Sequence, residues 1–257
     1  MSFFSKLFGK KGDDQGMDEN RPLLGDMSFL GADMHSHFIP GIDDGAQTIE
    51  DTLFLLQQMK ALGYKTIITT PHTMIDFYPN TTSTITEGME KVKALIAEHD
   101  LGLSFKAASE YYIDDYFMNL LEKQPLLTIY KNEVLVEFSM MFEPPMLKQV
   151  LFNMQTNGYR PILAHPERYL FYAQKMDKYQ ELKDRGCLFQ MNLLSLTGYY
   201  GKGVAAIAEK LLENGMYDYC GSDMHHEKHA KALQNLTRSK VYKDIKAYPF
   251  LNNRLCF

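Results

Sequence analysis

His35-Ser36-His37 sets two imidazoles on one side of an extended segment, because side chains in a strand alternate with period two. Shortly after comes GIDDG, in which Gly41 and Gly45 permit a tight turn that can aim Asp43 or Asp44 back at the pair. His72 follows Pro71 and His165 precedes Pro166, so proline stiffens the chain at both points. Glu110, Glu137 and Asp223 add anionic oxygens, and His225 adds another imidazole. With one acid from the GIDDG turn the set reaches nine groups, too many for a single ion. They suit two or three divalent ions with at least one bridging carboxylate. Imidazoles and carboxylates without thiolates favour Mn²⁺, Fe, Zn²⁺ or Mg²⁺ over copper or iron–sulfur chemistry. Clustered divalent ions lower the pKa of bound water and clamp the attacking and leaving oxygens of a phosphoryl group. Arg168, in HPER just after His165, suits a bidentate contact to phosphate oxygens. Together these residues imply metal-assisted phosphoester hydrolysis.

Each motif alone has a plainer meaning: HxH a surface pair, GIDDG a turn, HPER a helix start. What joins them is their position along the chain. Short apolar runs recur around 29–35, 65–71, 103–109, 133–138, 160–165, 187–192 and 217–222. Between them lie segments with helical spacing, at 49–61, 86–98, 145–156, 175–184 and 203–213. Glycines such as Gly63 and Gly186 follow these helices, where a left-handed residue can end them. Nearly continuous apolar strands alternating with helices predict a parallel sheet covered by helices. Seven strand runs in one domain over 29–257 predict an α/β barrel of about seven strands. The C-terminal edges of those runs carry His35 and His37, His72, Glu110, Glu137, His165, Asn192, and Asp223 with His225. In parallel α/β folds such edges share one face, where loops build the site. His99 reads as a helix-terminal histidine complementing the dipole. His226 and His229 are expected to lie at the periphery.

Composition narrows the function further. With 257 residues, 45% hydrophobic and 23% charged, the chain has apolar surface enough to fold. Lys plus Arg is 27 against 32 for Asp plus Glu, a net charge of −5 that does not suit a nucleic-acid partner. Cys187, Cys220 and Cys256 form no CxxC pair, and neither Cys187 nor Cys220 begins a C-x5-R phosphatase loop. Thiolate catalysis and a disulfide framework are therefore not expected, which fits a reducing, cytoplasmic setting. The longest uncharged run, Gly186 to Gly201, includes Gln190, Asn192, Ser195 and Thr197 and falls short of the ~20 apolar residues of a spanning helix. An integral membrane protein is not expected. Residues 1–28 read as a tail and linker: a basic and apolar stub, in which Phe4, Leu7 and Phe8 would share a helical face, followed by the polar GDDQGMDEN.

The segments DMHSHFIPGIDDG, TTPH, LVEF, LAHPERY and GSDMH, together with Glu110, resemble the polymerase-and-histidinol-phosphatase (PHP) superfamily. HPERY and the short spacing between blocks resemble its bacterial tyrosine-phosphatase branch, which regulates capsular and exopolysaccharide synthesis. The resemblance runs from about Ala32 to His225. It implies a distorted, TIM-like barrel of seven parallel strands around up to three divalent ions, Mn²⁺ foremost. By that resemblance one metal takes His35, His37, Glu110 and Asp223, a second Glu110, Glu137 and His165, and a third Asp44, His72 and His225. Arg168 is then the phosphate-binding arginine, and a metal-bound hydroxide attacks phosphorus without a cysteinyl intermediate. The implied substrate is phosphotyrosine on a protein, specifically the tyrosine-rich tail of a bacterial tyrosine kinase. One departure stands out: the family often has another arginine after the last histidine, where this chain reads HHEKHAKAL, with Lys228 and Lys231 as substitutes.

Two rival functions remain at this level. A PHP phosphoesterase of a small metabolite, such as a sugar or histidinol phosphate, would use the same metals. A non-catalytic scaffold would have lost ligands, and none of the nine is missing. The pairs Tyr111-Tyr112, Tyr116-Phe117 and Tyr199-Tyr200 offer either stacking surfaces for a phenyl ring or ordinary packing.

Overall fold

The computed structural model describes residues 25–257 apart from Gln124. Most of the expected tail, residues 1–24, lies outside the described residues. Met27 belongs to the folded part: its side chain is fully buried, and its N–H donates to Leu62 O at 2.7 Å.

Nine strands alternate with eight α-helices among the described residues. The strands are β1 (Ala32–Asp33), β2 (Thr66–Thr69), β3 (His72–Thr73), β4 (Ser104–Ala107), β5 (Glu110–Tyr112), β6 (Glu133–Glu137), β7 (Arg160–Ala164), β8 (Leu188–Asn192) and β9 (Tyr219–Gly221). The helices are α1 (Ile49–Ala61), α2 (Thr82–Glu98), α3 (Asp115–Lys123), α4 (Leu147–Thr156), α5 (Met176–Asp184), α6 (Lys202–Glu213), α7 (Glu227–Leu236) and α8 (Val241–Ala247). Every strand pairing is parallel, in a three-stranded sheet β1-β2-β4 and a six-stranded sheet β3-β5-β6-β7-β8-β9.

The count exceeds the expected seven because two of the predicted runs, 65–71 and 103–109, are each followed after a two-residue break by a second short strand. Thr70-Pro71 separates β2 from β3, and Ala108-Ser109 separates β4 from β5. Proline has no N–H to give to a ladder, so the break at Pro71 has a covalent cause. Across these breaks the sheets stay bonded: Thr70 N–H donates to Ser36 O at 2.7 Å and Glu110 N–H to Pro71 O at 3.2 Å.

Strands β2, β6 and β8 are buried along their whole length, which explains why their sequences are nearly continuous apolar runs. Alternate residues nonetheless serve different layers. Ile67, Val134, Val136, Leu163 and Phe189 pack with helix residues such as Leu55, Val92, Val150 and Leu211. Their neighbours Ile68, Leu135, Ile162 and Leu188 form a second cluster with Ala32, Met34 and Tyr219. The strands thus divide two apolar layers, and both must pack correctly for the strand ends to line up. Helix α1 starts on a capping box: Asp51 N–H donates to Thr48 Oγ1 at 3.1 Å, and Thr48 N–H donates to Asp51 Oδ2 at 3.0 Å. Gly63 and Gly186 adopt φ of 91° and 83°, the left-handed turns expected where helices give way to strands.

Candidate metal centre

The chain leaving β1 carries His35 and His37 with their rings 5.5 Å apart. Each ring is held by one nitrogen. His35 Nδ1 lies 2.9 Å from Gln190 Oε1, and His37 Nδ1 lies 2.8 Å from Asp43 Oδ2. The GIDDG turn makes the second contact possible. Ala46 N–H donates to His37 O at 3.0 Å, and Gly41 turns with φ 74°. A Cβ on Gly45 would lie 2.2 Å from His37 O, so only glycine lets the turn pack directly on the histidine. The two acids of the turn therefore separate in role. Asp43 is buried and also accepts from the N–H groups of Gly45 and His72. Asp44 faces the opening, 3.5 Å from His72 Nε2 and 3.4 Å from His225 Nε2.

Glu110 opens β5 at the centre of the group. Its Oε2 lies 3.1 Å from His35 Nε2 and 3.3 Å from His72 Nδ1, while Oε1 lies 3.1 Å from His165 Nε2. Glu137, ending β6, is 3.1 Å from His72 Nδ1 and 3.8 Å from His165 Nε2. Asp223 follows β9, with Oδ1 3.3 Å from His35 Nε2 and 3.5 Å from His37 Nε2. His165 and Asp223 both hold left-handed backbone, φ 32° and 49°. Side-chain-bearing residues adopt that conformation only when their surroundings impose it, and such strain gathers at functional sites.

All nine expected residues fall into four overlapping groups, each compact enough for a metal ion. The groups are His37, Asp44, His72 and His225; His35, His165 and Asp223; His35, His37 and Glu110; and His72, Glu110 and Glu137. These groups differ from the partition implied by resemblance. His37 joins the Asp44 group, His72 stands beside Glu110 and Glu137 where His165 was implied, and His165 groups with His35 and Asp223 while still touching Glu110. The cause is the short His37–His225 ring separation of 3.9 Å and the His35–His165 separation of 5.7 Å.

The donor set fits cations on two counts. His37 Nε2 is buried with no hydrogen-bond partner while its Nδ1 is oriented by a carboxylate, the arrangement of a histidine that ligates metal through its free nitrogen. Spacings such as His37 Nε2 to Asp223 Oδ1, 3.5 Å, are long for hydrogen bonds and near the roughly 3.3 Å edge of a tetrahedron of zinc-like bond lengths. The electrostatics agree. Burial opposes charging of His35 and His37, yet Glu110 and Asp223 around the first, and Asp43 beside the second, outweigh it and hold both up at about 9. Burial likewise penalises Glu110 and Asp223, and the surrounding imidazoles still keep them well below the carboxylate range. The pocket demands positive charge, from protons or from metal. Asp43→Asn keeps the shape of the side chain but weakens its hold on His37. We expect metal affinity to fall by about 10–100-fold with the fold retained, read by metal titration and circular dichroism.

Arg168 sits in the short 3₁₀ turn Pro166–Arg168, with Nη1 3.0 Å from Asp223 Oδ2 and its guanidinium 4.6 Å from the Tyr200 ring. Asn192 ties this corner together: its Nδ2 donates to Tyr200 Oη at 3.1 Å and Asp223 Oδ2 at 2.9 Å. Beneath it, buried Glu167 accepts from Asn192 N–H at 2.8 Å and Ser195 Oγ at 2.7 Å. Arg168 and most of the candidate ligands line one cavity of about 410 Å³, together with Met140, Tyr200, His226 and His229. A larger cleft of about 570 Å³ lies between α6 and α8, and its lining includes none of these groups.

Two expectations change here. His226 and His229 are not peripheral, because they line the cavity and His229 Nδ1 accepts from His225 N–H at 3.3 Å. The aromatic pairs divide: Tyr111 and Phe117 are core, while Tyr200 braces Arg168. Lys228 and Lys231 are not among the residues lining the cavity. Sequence reasoning offered Asp43 as one of two acids that the GIDDG turn can aim at the histidine pair, and Tyr200 only as half of an aromatic pair. It did not find Gln190 or Glu167, which act from positions that no spacing rule marks.

Residues 31–247 match the protein family described as capsular polysaccharide synthesis, CpsB/CapC. The tyrosine-protein phosphatase YwqE of Bacillus subtilis is 28% identical over 197 residues, 76% of this chain and 78% of its own. The tyrosine-protein phosphatase CpsB of Streptococcus pneumoniae is 29% identical over 201 residues, 75% of this chain and 82% of its own. A crystal structure from work on YwqE of B. subtilis and CpsB of S. pneumoniae, described as unique metal-dependent tyrosine phosphatases, superposes with a TM-score of 0.73 at 27% identity. It covers 81% of this chain and 87% of that one. A histidinol phosphate phosphatase from Lactococcus lactis superposes with a TM-score of 0.53 at 14% identity, over 85% of this chain and 93% of that one, and shares the fold.

Proposed function

The chain belongs to the capsular polysaccharide synthesis family CpsB/CapC, and from that membership we propose that it is a metal-dependent protein-tyrosine phosphatase. Its substrate is phosphotyrosine on a bacterial tyrosine kinase that controls exopolysaccharide or capsule synthesis, reached in the kinase's tyrosine-rich tail. The observation that carries this function is the convergence of nine ligand-type residues into overlapping groups, seven of them lining one cavity with Arg168. His35, His37, Asp44, His72, Glu110, Glu137, His165, Asp223 and His225 hold two or three divalent ions, preferentially Mn²⁺, with Fe, Zn²⁺ or Mg²⁺ accepted by the same donors. Bound there, such ions supply an acidified water and neutralise phosphoryl oxygens.

The rest is work for side chains. Arg168 binds phosphoryl oxygens, pre-positioned by the Tyr200 ring and Asp223 so that little ordering is needed when substrate arrives. Gln190 and Asp43 fix the ring orientations of His35 and His37. The likeness to a histidinol phosphate phosphatase concerns the fold, so no observation here favours a small metabolite. The nine strands act as the seven staves of a distorted barrel, β2 with β3 and β4 with β5 each making one. The parallel bridge between Ser36 and Met224, beyond β1 and β9, supports that closure. No helix among the described residues is long and apolar enough to cross a membrane. The proposed place of action is the cytoplasm.

The test is phosphate release from a phosphotyrosine peptide. Arg168→Ala should keep metal content and fold while kcat/KM falls by about 10²-fold or more, and Arg168→Lys should recover little because an ammonium lacks the planar fork. Cys187→Ser and Cys220→Ser should stay active. Both thiols are buried, and burial pushes Cys187 up to about 12, far from a nucleophilic thiolate. Activity lost in either cysteine variant, folded and metal-loaded, would refute hydrolysis without a thiol.

A further inference from the structure

The mouth of the metal cavity has an apolar rim that the chemistry does not use. After β3, residues Met74 to Tyr78 form a turn closed by two bonds, Met74 N–H to Tyr78 O at 3.0 Å and Tyr78 N–H to Met74 O at 2.7 Å. Its base is tied to the site, since the Tyr78 ring stacks on His72 at 5.4 Å. Its tip presents Ile75 and Phe77 to solvent, 41% and 69% exposed. After β6, beyond Glu137, Met140 lines the cavity while Met141 and Phe142 are 81% and 60% exposed. Strands β3, β5 and β6 are neighbours in one sheet, so these loops adjoin across the short loop after β5.

Four large apolar side chains left in water on neighbouring loops are costly unless something covers them, and here they border the place where a phosphoryl group must enter. A phosphotyrosine puts its phosphate at the far end of a rigid ring, so its backbone stays at the mouth and its sequence neighbours lie on the rim. Asp76 and Asp114 there disfavour acidic neighbours. We propose that Ile75, Phe77, Met141 and Phe142 bind apolar or aromatic side chains flanking phosphotyrosine in a protein substrate, and so select among phosphotyrosines. This rests on the phosphatase function above.

The test compares full-length wild type with the Phe77→Ser/Met141→Ser/Phe142→Ser variant, both loaded with Mn²⁺. Three substrates are used: a phosphotyrosine peptide with leucine and phenylalanine flanks, the same peptide with serine flanks, and 4-nitrophenyl phosphate. Wild type should prefer the apolar-flanked peptide. In the variant kcat/KM for that peptide should fall by about tenfold or more, mainly through KM, and at least tenfold further than for the arylphosphate. Equal losses on all three substrates would show that the loops merely support the site and would overturn the proposal. Unaltered kcat/KM on the apolar-flanked peptide would also overturn it, as would conversion of a dimer to a monomer, which would make the rim an interface between copies. Failure of wild type to hydrolyse even the arylphosphate would instead bring down the phosphatase function, and the proposal with it.

Discussion

Glu110→Gln should lose roughly 10³-fold or more in kcat/KM towards a phosphotyrosine peptide, together with bound metal. No other carboxylate in the site touches so many imidazoles. One oxygen faces His165 at 3.1 Å, and the other faces His35 at 3.1 Å, His72 at 3.3 Å and His37 at 3.6 Å. Among the carboxylates of the four ligand groups Glu110 alone belongs to two, so in the proposed metal centre it would be the bridging ligand. The amide has nearly the same volume but lacks the charge and one acceptor oxygen, so packing is preserved while the ligand is removed. Glu110 is also fully buried, and removing its charge leaves the imidazoles facing it uncompensated, which costs stability in the metal-free protein. Elemental analysis should find less metal in the variant than in wild type, where more than one divalent ion per chain is expected. A strong chelator should abolish wild-type activity, and Mn²⁺ should restore it. If Glu110→Gln kept wild-type metal content and rate, a bridging role would be untenable.

The site was more legible in the sequence than the strands that carry it. His35, His37, Glu137, His165 and Asp223 were visible because each closes an apolar run, and parallel topology sends such positions to one face. The strand count was less legible. The run KTIITTP reads as one strand, and only the backbone shows that a second strand, in the other sheet, follows Thr70-Pro71. The supports were hidden for a different reason. Gln190 reaches His35, and Glu167 holds Asn192, through contacts between residues far apart in the chain. Periodicity says which face a side chain takes and nothing about its partner across the fold. His229 was misplaced by the same blindness: the sequence set it at the periphery, yet its ring packs on His226 at 4.0 Å and it lines the cavity.

Phosphotyrosine peptides should be hydrolysed about 10²-fold or more faster, in kcat/KM, than phosphoserine peptides, sugar phosphates or histidinol phosphate, the size of a missing general acid. The preference follows from which groups in the cavity keep a proton. An aryl phosphate departs as a phenolate whose conjugate acid has a pKa near ~10, whereas an alkoxide is far more basic and needs a proton as it leaves. Three of the carboxyls around the cavity, Asp44, Glu110 and Asp223, cannot provide one near neutrality. Burial would raise Asp44, but the hydrogen bond and charge of His225 and its neighbours bring it down to about 2, and Glu110 and Asp223 are likewise held ionised. His229 is no better, because burial and the adjacent His226 and His225 pull it down to about 4. All of these groups have their folded-state pKa below neutrality, so they are unprotonated at pH 7, and acidifying the assay would protonate His229 first. Arg168 stays charged and does not give up its proton. The imidazoles that neighbouring carboxylates hold protonated in the metal-free protein, His72 among them, are candidate ligands, and a bound metal ion would displace that proton. Burial pushes the Tyr200 hydroxyl up, which makes it a weak acid. A leaving group that departs unaided is therefore the one this cavity can serve. Side-by-side measurement of kcat/KM with Mn²⁺ supplied decides the matter. A preference for any alkyl phosphate would mean that some group in the cavity delivers a proton after all, and would move the enzyme to the metabolite phosphatases.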